Sequence, residues 1–243
     1  MRCIRLSVTK ISWGWLGTRN NHNPFFYFKG TSTIQLFMTS QDPRRLNHIF
    51  DGKTASAHFS EYRNSLDQAL RSVPLKNVDH AFELIFQASQ KGKKLLIAGN
   101  GGSAGISDHL SCDLGKGTLS PGQPPLKVLS LSANGPMLTA IANDYGYDEV
   151  FATQVAMYGE EGDVLITISS SGKSPNIVKS LEVARKMGLK TIALTGFGGG
   201  KSRELCDVSL HFEFQNYGIV EDCHQIVLQS IGQYLAKIRD GNW

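Results

Sequence analysis

No apolar run in the 243-residue chain approaches the roughly 18 residues that cross a bilayer, so no membrane span or membrane partner is expected. Cysteine is scarce as well. The four present, Cys3, Cys112, Cys206 and Cys223, make no C-x-x-C pair and no zinc-finger spacing, which excludes a disulfide framework and fits a reduced, cytoplasmic chain. Cys112, between His109 and Asp113, is expected to be a small buried thiol. Acids are missing altogether from residues 1–37, which hold five bases: Arg2, Arg5, Lys10, Arg19 and Lys29. The net charge of +4 resides there, and the remainder balances 20 basic against 21 acidic side chains. A neutral body has no electrostatic footprint for nucleic acid, so direct nucleic-acid binding is not expected. The same 37 residues lack either hydrophobic period, and Phe25-Phe26-Tyr27-Phe28 after Asn20-Asn21-His22-Asn23-Pro24 is not a signal-peptide core. They are read as an unstructured extension or an over-extended translation start, leaving 38–243 as the folded domain.

What is present organises itself around Leu95-Leu96-Ile97-Ala98-Gly99-Asn100-Gly101-Gly102-Ser103, an apolar run that breaks into a glycine-rich turn and then a helical pattern. Thr39-Ser40-Gln41-Asp42-Pro43 is a helix-entry signal, and from Arg44 to about Val73 apolar residues recur at helical spacing, with Gly52 a weak point, which predicts one or two helices. Pro74 ends that stretch, and Val78–Gln90 predicts another amphipathic helix. Beyond the glycine turn, a helix over 102–116 leads to a proline-rich loop and a strand at Lys127–Leu131. Helical pieces over about 136–143 and 148–159 precede a strand at Val164–Ile168. Then come helix 175–187, strand Thr191–Leu194, a short helical turn opened by Gly198-Gly199-Gly200, strand Val208–Phe212 and a long helix from about Gly218 to Arg239. Strands alternating with helices at this spacing predict an α/β fold: a doubly wound parallel sheet of five strands with helices on both faces, preceded by N-terminal helices.

Two strand-to-helix junctions carry the chemistry. Gly99, Gly101 and Gly102 let backbone N–H groups approach a ligand, and the helix beyond points its positive end at the same place, so Asn100, Gly101, Gly102 and Ser103 are candidate anion contacts. The second junction, Ser169-Ser170-Ser171-Gly172-Lys173-Ser174 before Pro175, substitutes hydroxyl donors and suits a phosphomonoester through Ser169, Ser170, Ser171 and Ser174. Two such loops on parallel strands share one crevice. Neither belongs to a nucleotide site. Gly99-x-Gly101-x-x-Ala104 matches a dinucleotide fingerprint, but no acid lies between Asp113 and Asp144 to hold a ribose. Gly199-Gly200-Lys201-Ser202 imitates the end of a P-loop, but Thr195 stands where its first glycine belongs. No nucleotide cofactor is therefore expected.

His109 and Asp113, four apart, share a face of the helix that starts at the glycine loop, and Glu221 and His224, three apart, share a face near the start of the last helix. Gln229 follows a turn or two later. Two acid–imidazole pairs in a chain with seven histidines point to proton transfer or metal binding.

Taken together, Gly99–Ser103, Ala142-Asn143-Asp144, Gly162-Asp163-Val164-Leu165, Ile168–Ser174 and Thr195-Gly196 resemble the SIS (sugar isomerase) domain of the phosphoheptose isomerase group, over roughly 44–238. The resemblance implies a flavodoxin-like three-layer sandwich, a homotetramer with sites between subunits, and sugar-phosphate contacts at Asn100, Gly101, Gly102, Asn143, Asp144, Ser169, Ser170, Ser171 and Ser174. By position it also implies His109, Asp113, Glu221 and Gln229 as zinc ligands and acid/base groups. Here the chain departs from the pattern. The family's glutamate is shortened at Asp113, its glutamine is an acid at Glu221, and its last histidine is Gln229. His224, one turn after Glu221, offers a replacement imidazole. The implied activity is aldose–ketose isomerisation of a heptose phosphate, as in sedoheptulose 7-phosphate isomerases of lipopolysaccharide or capsule synthesis. The alternatives are a non-catalytic tetrameric SIS protein that associates with a replication initiator, or a phosphosugar sensor, against which the lack of a DNA-binding motif argues.

Overall fold

The computed structural model describes residues 50–241, together with the backbone of Leu6–Ser7 and Thr33–Ile34. Met1–His48 and Ile49–Trp243 are separate compact units. In the first, Leu6–Ser7 pairs antiparallel with Thr33–Ile34. The helix-entry signal at 39–43 and the helical spacing over 44–49 lie outside the described residues.

In the second unit, helices α1 (Ala55–Arg71) and α2 (Leu75–Gln90) precede a five-stranded parallel sheet: β1 (Lys94–Gly99), β2 (Lys127–Ser130), β3 (Val164–Ile168), β4 (Lys190–Thr195) and β5 (Val208–His211). Between the strands run α3 (Gly102–Gly115), α4 (Gly135–Asp144), a 3₁₀ turn (Tyr147–Glu149), α5 (Ala152–Tyr158), α6 (Pro175–Lys186) and α7 (Gly200–Leu205), and α8 (Tyr217–Arg239) follows the last strand. The spatial order is β2-β1-β3-β4-β5. The order reverses between β1 and β3, and this is the switch point at which an open α/β sheet forms its ligand crevice.

Alternation along the strands sorts the core into two layers. Leu95, Ile97, Ile166 and Leu194 face α1, α2, α3 and α8, whereas Leu96, Ala98 and Leu165 face Leu131, Ile141, Phe151, Ile177 and Leu181 on the opposite side. Each such large side chain fully buried contributes about 1.5–3 kcal/mol, so both faces of the sheet are held by packing. At the end remote from the crevice, the buried carboxylate of Asp163 accepts hydrogen bonds from Lys94 N (2.8 Å) and Glu160 N (2.9 Å), fixing the starts of β1 and β3 in register.

The predicted elements are recovered with two local differences. Helix α1 begins only at Ala55: Thr54 caps it by accepting from Ala57 N at 3.1 Å, and Glu61 draws the Asp51 and Gly52 amides back onto the helix at 2.9 and 3.1 Å. The helical piece expected over about 148–159 is divided between the 3₁₀ turn and α5, with Val150 and Phe151 turned into the core between them. Among the described residues no helix is long and apolar enough to cross a membrane.

Candidate functional site

The crevice lies where β1 and β3 end. On the β1 side the chain leaves Gly99, takes a positive φ of 55° at Gly101 and enters α3, whose first turn has no side-chain cap. Its orphan amides are thus left for a ligand. On the β3 side, Ser169–Ser174 wraps over the start of α6. Ser174 stands at the N-cap yet makes no capping bond, and its hydroxyl lies 3.5 Å from that of Ser169. Ser170 is 5% exposed, and its hydroxyl is buried without a hydrogen-bond partner. Buried hydroxyls are rarely left unpaired, so a serine that caps no amide, beside an orphaned one, marks donors waiting for an acceptor. Gly172, at φ 61°, holds the loop's shape by accepting from Ser202 N and Oγ at 3.0 and 2.9 Å.

Together Asn100, Ser103, Ser169, Ser170, Ser171 and Ser174 line a cavity of about 150 Å³, and α8 closes it with Tyr217 and Glu221. Glu221 crosses to the glycine loop: a Cβ on Gly102 would stand 2.6 Å from its Oε2. Burial first, and then the adjacent Asp222 charge, raise the Glu221 carboxyl above the ordinary carboxylate range. Asp222 itself accepts from the Tyr62 hydroxyl at 2.6 Å, and burial followed by that bond raises the Tyr62 phenol. The crevice therefore combines an anion cradle with one protonatable carboxylate.

Other candidates are placed elsewhere. His109 Nε2 lies 2.9 Å from Asp113 Oδ2 on the outer part of α3, and neither residue lines the cavity. His224 is fully buried against Phe212, with ring centroids 5.6 Å apart, and is not brought into the crevice. Its proton affinity falls to about 4 through burial; the Thr195 backbone opposes this, although neither ring nitrogen makes a hydrogen bond of good geometry. Side chains three residues apart on an α-helix point about 60° away from each other, enough here to turn Glu221 to the crevice and His224 to the core. Asn143 and Asp144, joined by a 2.9 Å bond, are exposed at the end of α4 and do not line the cavity. Gln229 is half-buried two turns beyond Glu221.

A metal would need these side chains to converge, and among the described residues no three His, Cys, Asp or Glu side chains do so. One imidazole paired with its own aspartate, a carboxylate directed at Gly102 and a weakly ligating carboxamide do not fit zinc in this chain. The zinc expectation thus finds no support among the described residues. The expectation of a packed Cys112 is corrected: its thiol is exposed, because the α3 face it occupies points away from Ile106, Leu110 and Leu114.

The imitation motifs resolve as structural parts. Lys201 turns to Glu182 on α6 at 3.2 Å. Where a dinucleotide fold would place its acid, Ser132 Oγ donates to Gly99 O at 2.8 Å and accepts from Gly99 N at 3.2 Å, bracing the glycine loop. Sequence reasoning missed three residues. Tyr217 lines the cavity, while Asn176 and Tyr147 hydrogen-bond Asn100. Only Asn176 left a signal, an asparagine of low helix propensity inside the first turn of α6.

Comparison with known proteins agrees with this architecture. The family model described as the SIS domain matches residues 58–196. The phosphoheptose isomerase of Nitratidesulfovibrio vulgaris strain Miyazaki F is 38% identical over 168 residues, covering 68% of this chain and 78% of that one. A probable phosphoheptose isomerase of Thermoplasma volcanium is 36% identical over 172 residues, covering 71% of this chain and 87% of that one. Among solved structures, phosphoheptose isomerase GmhA from Neisseria gonorrhoeae superposes with a TM-score of 0.68 at 31% identity, covering 74% of this chain and 95% of that one. The chain belongs to the SIS domain family and groups there with the phosphoheptose isomerases.

Proposed function

We propose that this protein is a phosphosugar aldose–ketose isomerase that interconverts sedoheptulose 7-phosphate and the corresponding aldoheptose 7-phosphate, in the carbohydrate metabolism that supplies lipopolysaccharide or capsule heptose. The observation that carries this reading is the Glu221 carboxyl, raised in proton affinity and set in the same crevice as the serine and glycine loops. The 7-phosphate accepts from Ser169, Ser170, Ser171, Ser174 and the α3 amides. Glu221 takes a proton from C1 of the ketose, the C1–H electron pair forms the C1=C2 bond, and the C2 carbonyl oxygen becomes an enediol oxygen. The carbon-bound proton returns at C2 while the proton of the C1 hydroxyl passes to the C2 oxygen, leaving an aldehyde at C1 and a hydroxyl at C2. Burial raises the Glu221 carboxyl above the ordinary carboxylate range, and a carboxyl that holds its proton more strongly is better suited to taking up and returning one.

A cavity of about 150 Å³ is short of the roughly 300–1,000 Å³ of pockets that enclose a ligand. This supports a site that a neighbouring subunit completes, which together with the SIS resemblance we read as a homotetramer acting in the cytoplasm. The test follows solvent deuterium into C1 of sedoheptulose 7-phosphate or C2 of the aldose. Incorporation is expected without added metal and with chelator present. A protein that binds the sugar phosphate but exchanges no deuterium would be a binding protein instead.

A further inference from the structure

Asn100 and Asn176 join the two phosphate loops through a cyclic amide pair, and the polarity of that pair is fixed from the backbone. Ile177 N can only donate, and it donates to Asn176 Oδ1 at 2.9 Å. Asn176 therefore presents its oxygen on that side and its Nδ2 on the other, where it donates to Asn100 Oδ1 at 2.9 Å. The return bond runs from Asn100 Nδ2 to Asn176 Oδ1, also at 2.9 Å. The Tyr147 hydroxyl supplies a second donor to Asn100 Oδ1 at 2.9 Å. Asn176 is 1% exposed, so water does not compete for these bonds.

A carboxamide has one acceptor oxygen with two lone pairs and one nitrogen with two protons. In Asn100 both lone pairs of the oxygen and one N–H are committed, and one N–H remains. Asn100 lines the crevice, so it can meet a ligand only as a donor.

We infer that Asn176 and Tyr147 are positioning residues that lock Asn100 as a donor-only contact and hold the glycine loop at a fixed distance from the serine loop. The ligand group so addressed is an acceptor oxygen, of a phosphate or of the sugar next to it. Neither residue touches the reacting atoms. This inference rests on the phosphosugar reading of the crevice.

Replacing Asn176 with Asp keeps the acceptor for Ile177 N and Asn100 Nδ2 but sets an oxygen against Asn100 Oδ1, so that the locked orientation becomes repulsive. Tyr147→Phe removes one donor at an exposed position, where folding is not at risk. The experiment measures affinity for sedoheptulose 7-phosphate and for inorganic phosphate by calorimetry, kcat at saturation, and hydrogen exchange of the Asn100 side-chain amide by NMR in the ligand-free protein.

Expected are one slowly exchanging Asn100 Nδ2 proton in the wild type, lost in Asn176→Asp, and affinity for the sugar phosphate about 10-fold weaker in Asn176→Asp. For Tyr147→Phe the loss is about 3-fold, within the range that one neutral hydrogen bond supports. Because the carboxylate on α8 is untouched, kcat changes less than affinity does, a split that general loosening of the fold would not give. Wild-type affinity in a folded Asn176→Asp and in Tyr147→Phe overturns the assignment, as does fast exchange of both Asn100 amide protons in the wild type. If Asn176→Asp does not fold, Tyr147→Phe and the wild-type exchange decide. Missing deuterium incorporation would remove the isomerase reading alone, since affinity and amide exchange are read without turnover.

Discussion

Gly102 and Glu221 occupy adjoining space: a Cβ at 102 would stand 2.6 Å from Glu221 Oε2 and 3.0 Å from Cδ. The obstructed group is the end of a flexible side chain, so it can swing aside and the chain still folds. Alanine is favoured over glycine in a helix by up to about 1 kcal/mol, and Gly102 opens α3 at an ordinary negative φ. Gly102→Ala is therefore expected to keep or slightly raise the melting temperature while turnover falls by about 10²-fold, the cost of misplacing a reacting group by about an ångström. Thermal unfolding and steady-state kinetics on the same sample check this. Unchanged turnover would detach Glu221 from the chemistry.

Much of this architecture is legible in the sequence alone, and particular residues show why. Leu95–Gly99 and Val164–Ile168 are short apolar runs that stop at glycine and serine, and both are strands whose carboxyl ends meet in the crevice. Local pattern suffices there because strand, turn and helix start are close neighbours in the chain. The Asn100–Asn176 pair spans 76 residues, and Tyr147 reaches Asn100 across 47. Such contacts follow from strand order, which no periodicity states. His224 misleads because spacing reports which residues share a broad face but not the few tens of degrees that separate crevice from core.

Ser171 and Ser174 supply lightly encumbered hydroxyls at the mouth of the serine loop. Ser174 caps no amide, and Ser171 Oγ accepts only from Lys173 N, at 3.3 Å. Charge-assisted hydrogen bonds contribute about 1.5–3 kcal/mol each, so replacing both with alanine should weaken sugar-phosphate binding by about 3–6 kcal/mol with the sheet intact. Calorimetric titration checks it, and unchanged affinity in a folded double variant would move the phosphate elsewhere.

His224 gives the protein an acid-labile point. Its ring is neutral in the core with a proton affinity near 4, against an ordinary value of 6.5. Below 6.5 the unfolded chain takes up a proton that the folded one refuses. The contribution is thus fully present above pH 6.5 and is lost as pH falls toward 4, by about 3 kcal/mol. His211, also lowered by burial and then by Arg203, steepens the same slope. His224→Leu, close in volume and without orphaned nitrogens, should flatten the fall in melting temperature between about pH 7 and pH 4 while leaving stability at neutral pH nearly unchanged. An equally steep fall in the variant would assign the lability to other groups.

The division of labour between the two acids is the sharpest test of the chemistry. Glu221 lines the cavity, whereas Asp113 pairs with His109 outside it. Glu221→Gln should still bind sugar phosphate, because the loops are intact, but turnover should fall by about 10²–10⁴-fold, the contribution of a positioned acid or base. Asp113→Asn should cost less than about 10-fold, below that range. Linkage supplies an independent reading of the same carboxyl. Its folded value is raised above the ordinary 4.5 by burial and by Asp222, so the folded state holds the proton longer than the unfolded one. That contribution is present below pH 4.5 and is lost as pH rises through the raised folded value. Glu221→Gln should consequently raise the melting temperature at about pH 8 and change it little at about pH 4. Loss of turnover in Asp113→Asn together with wild-type turnover in Glu221→Gln would transfer the proton to the acid on α3, and would place the reacting carbons over the His109–Asp113 pair instead of beside the glycine loop.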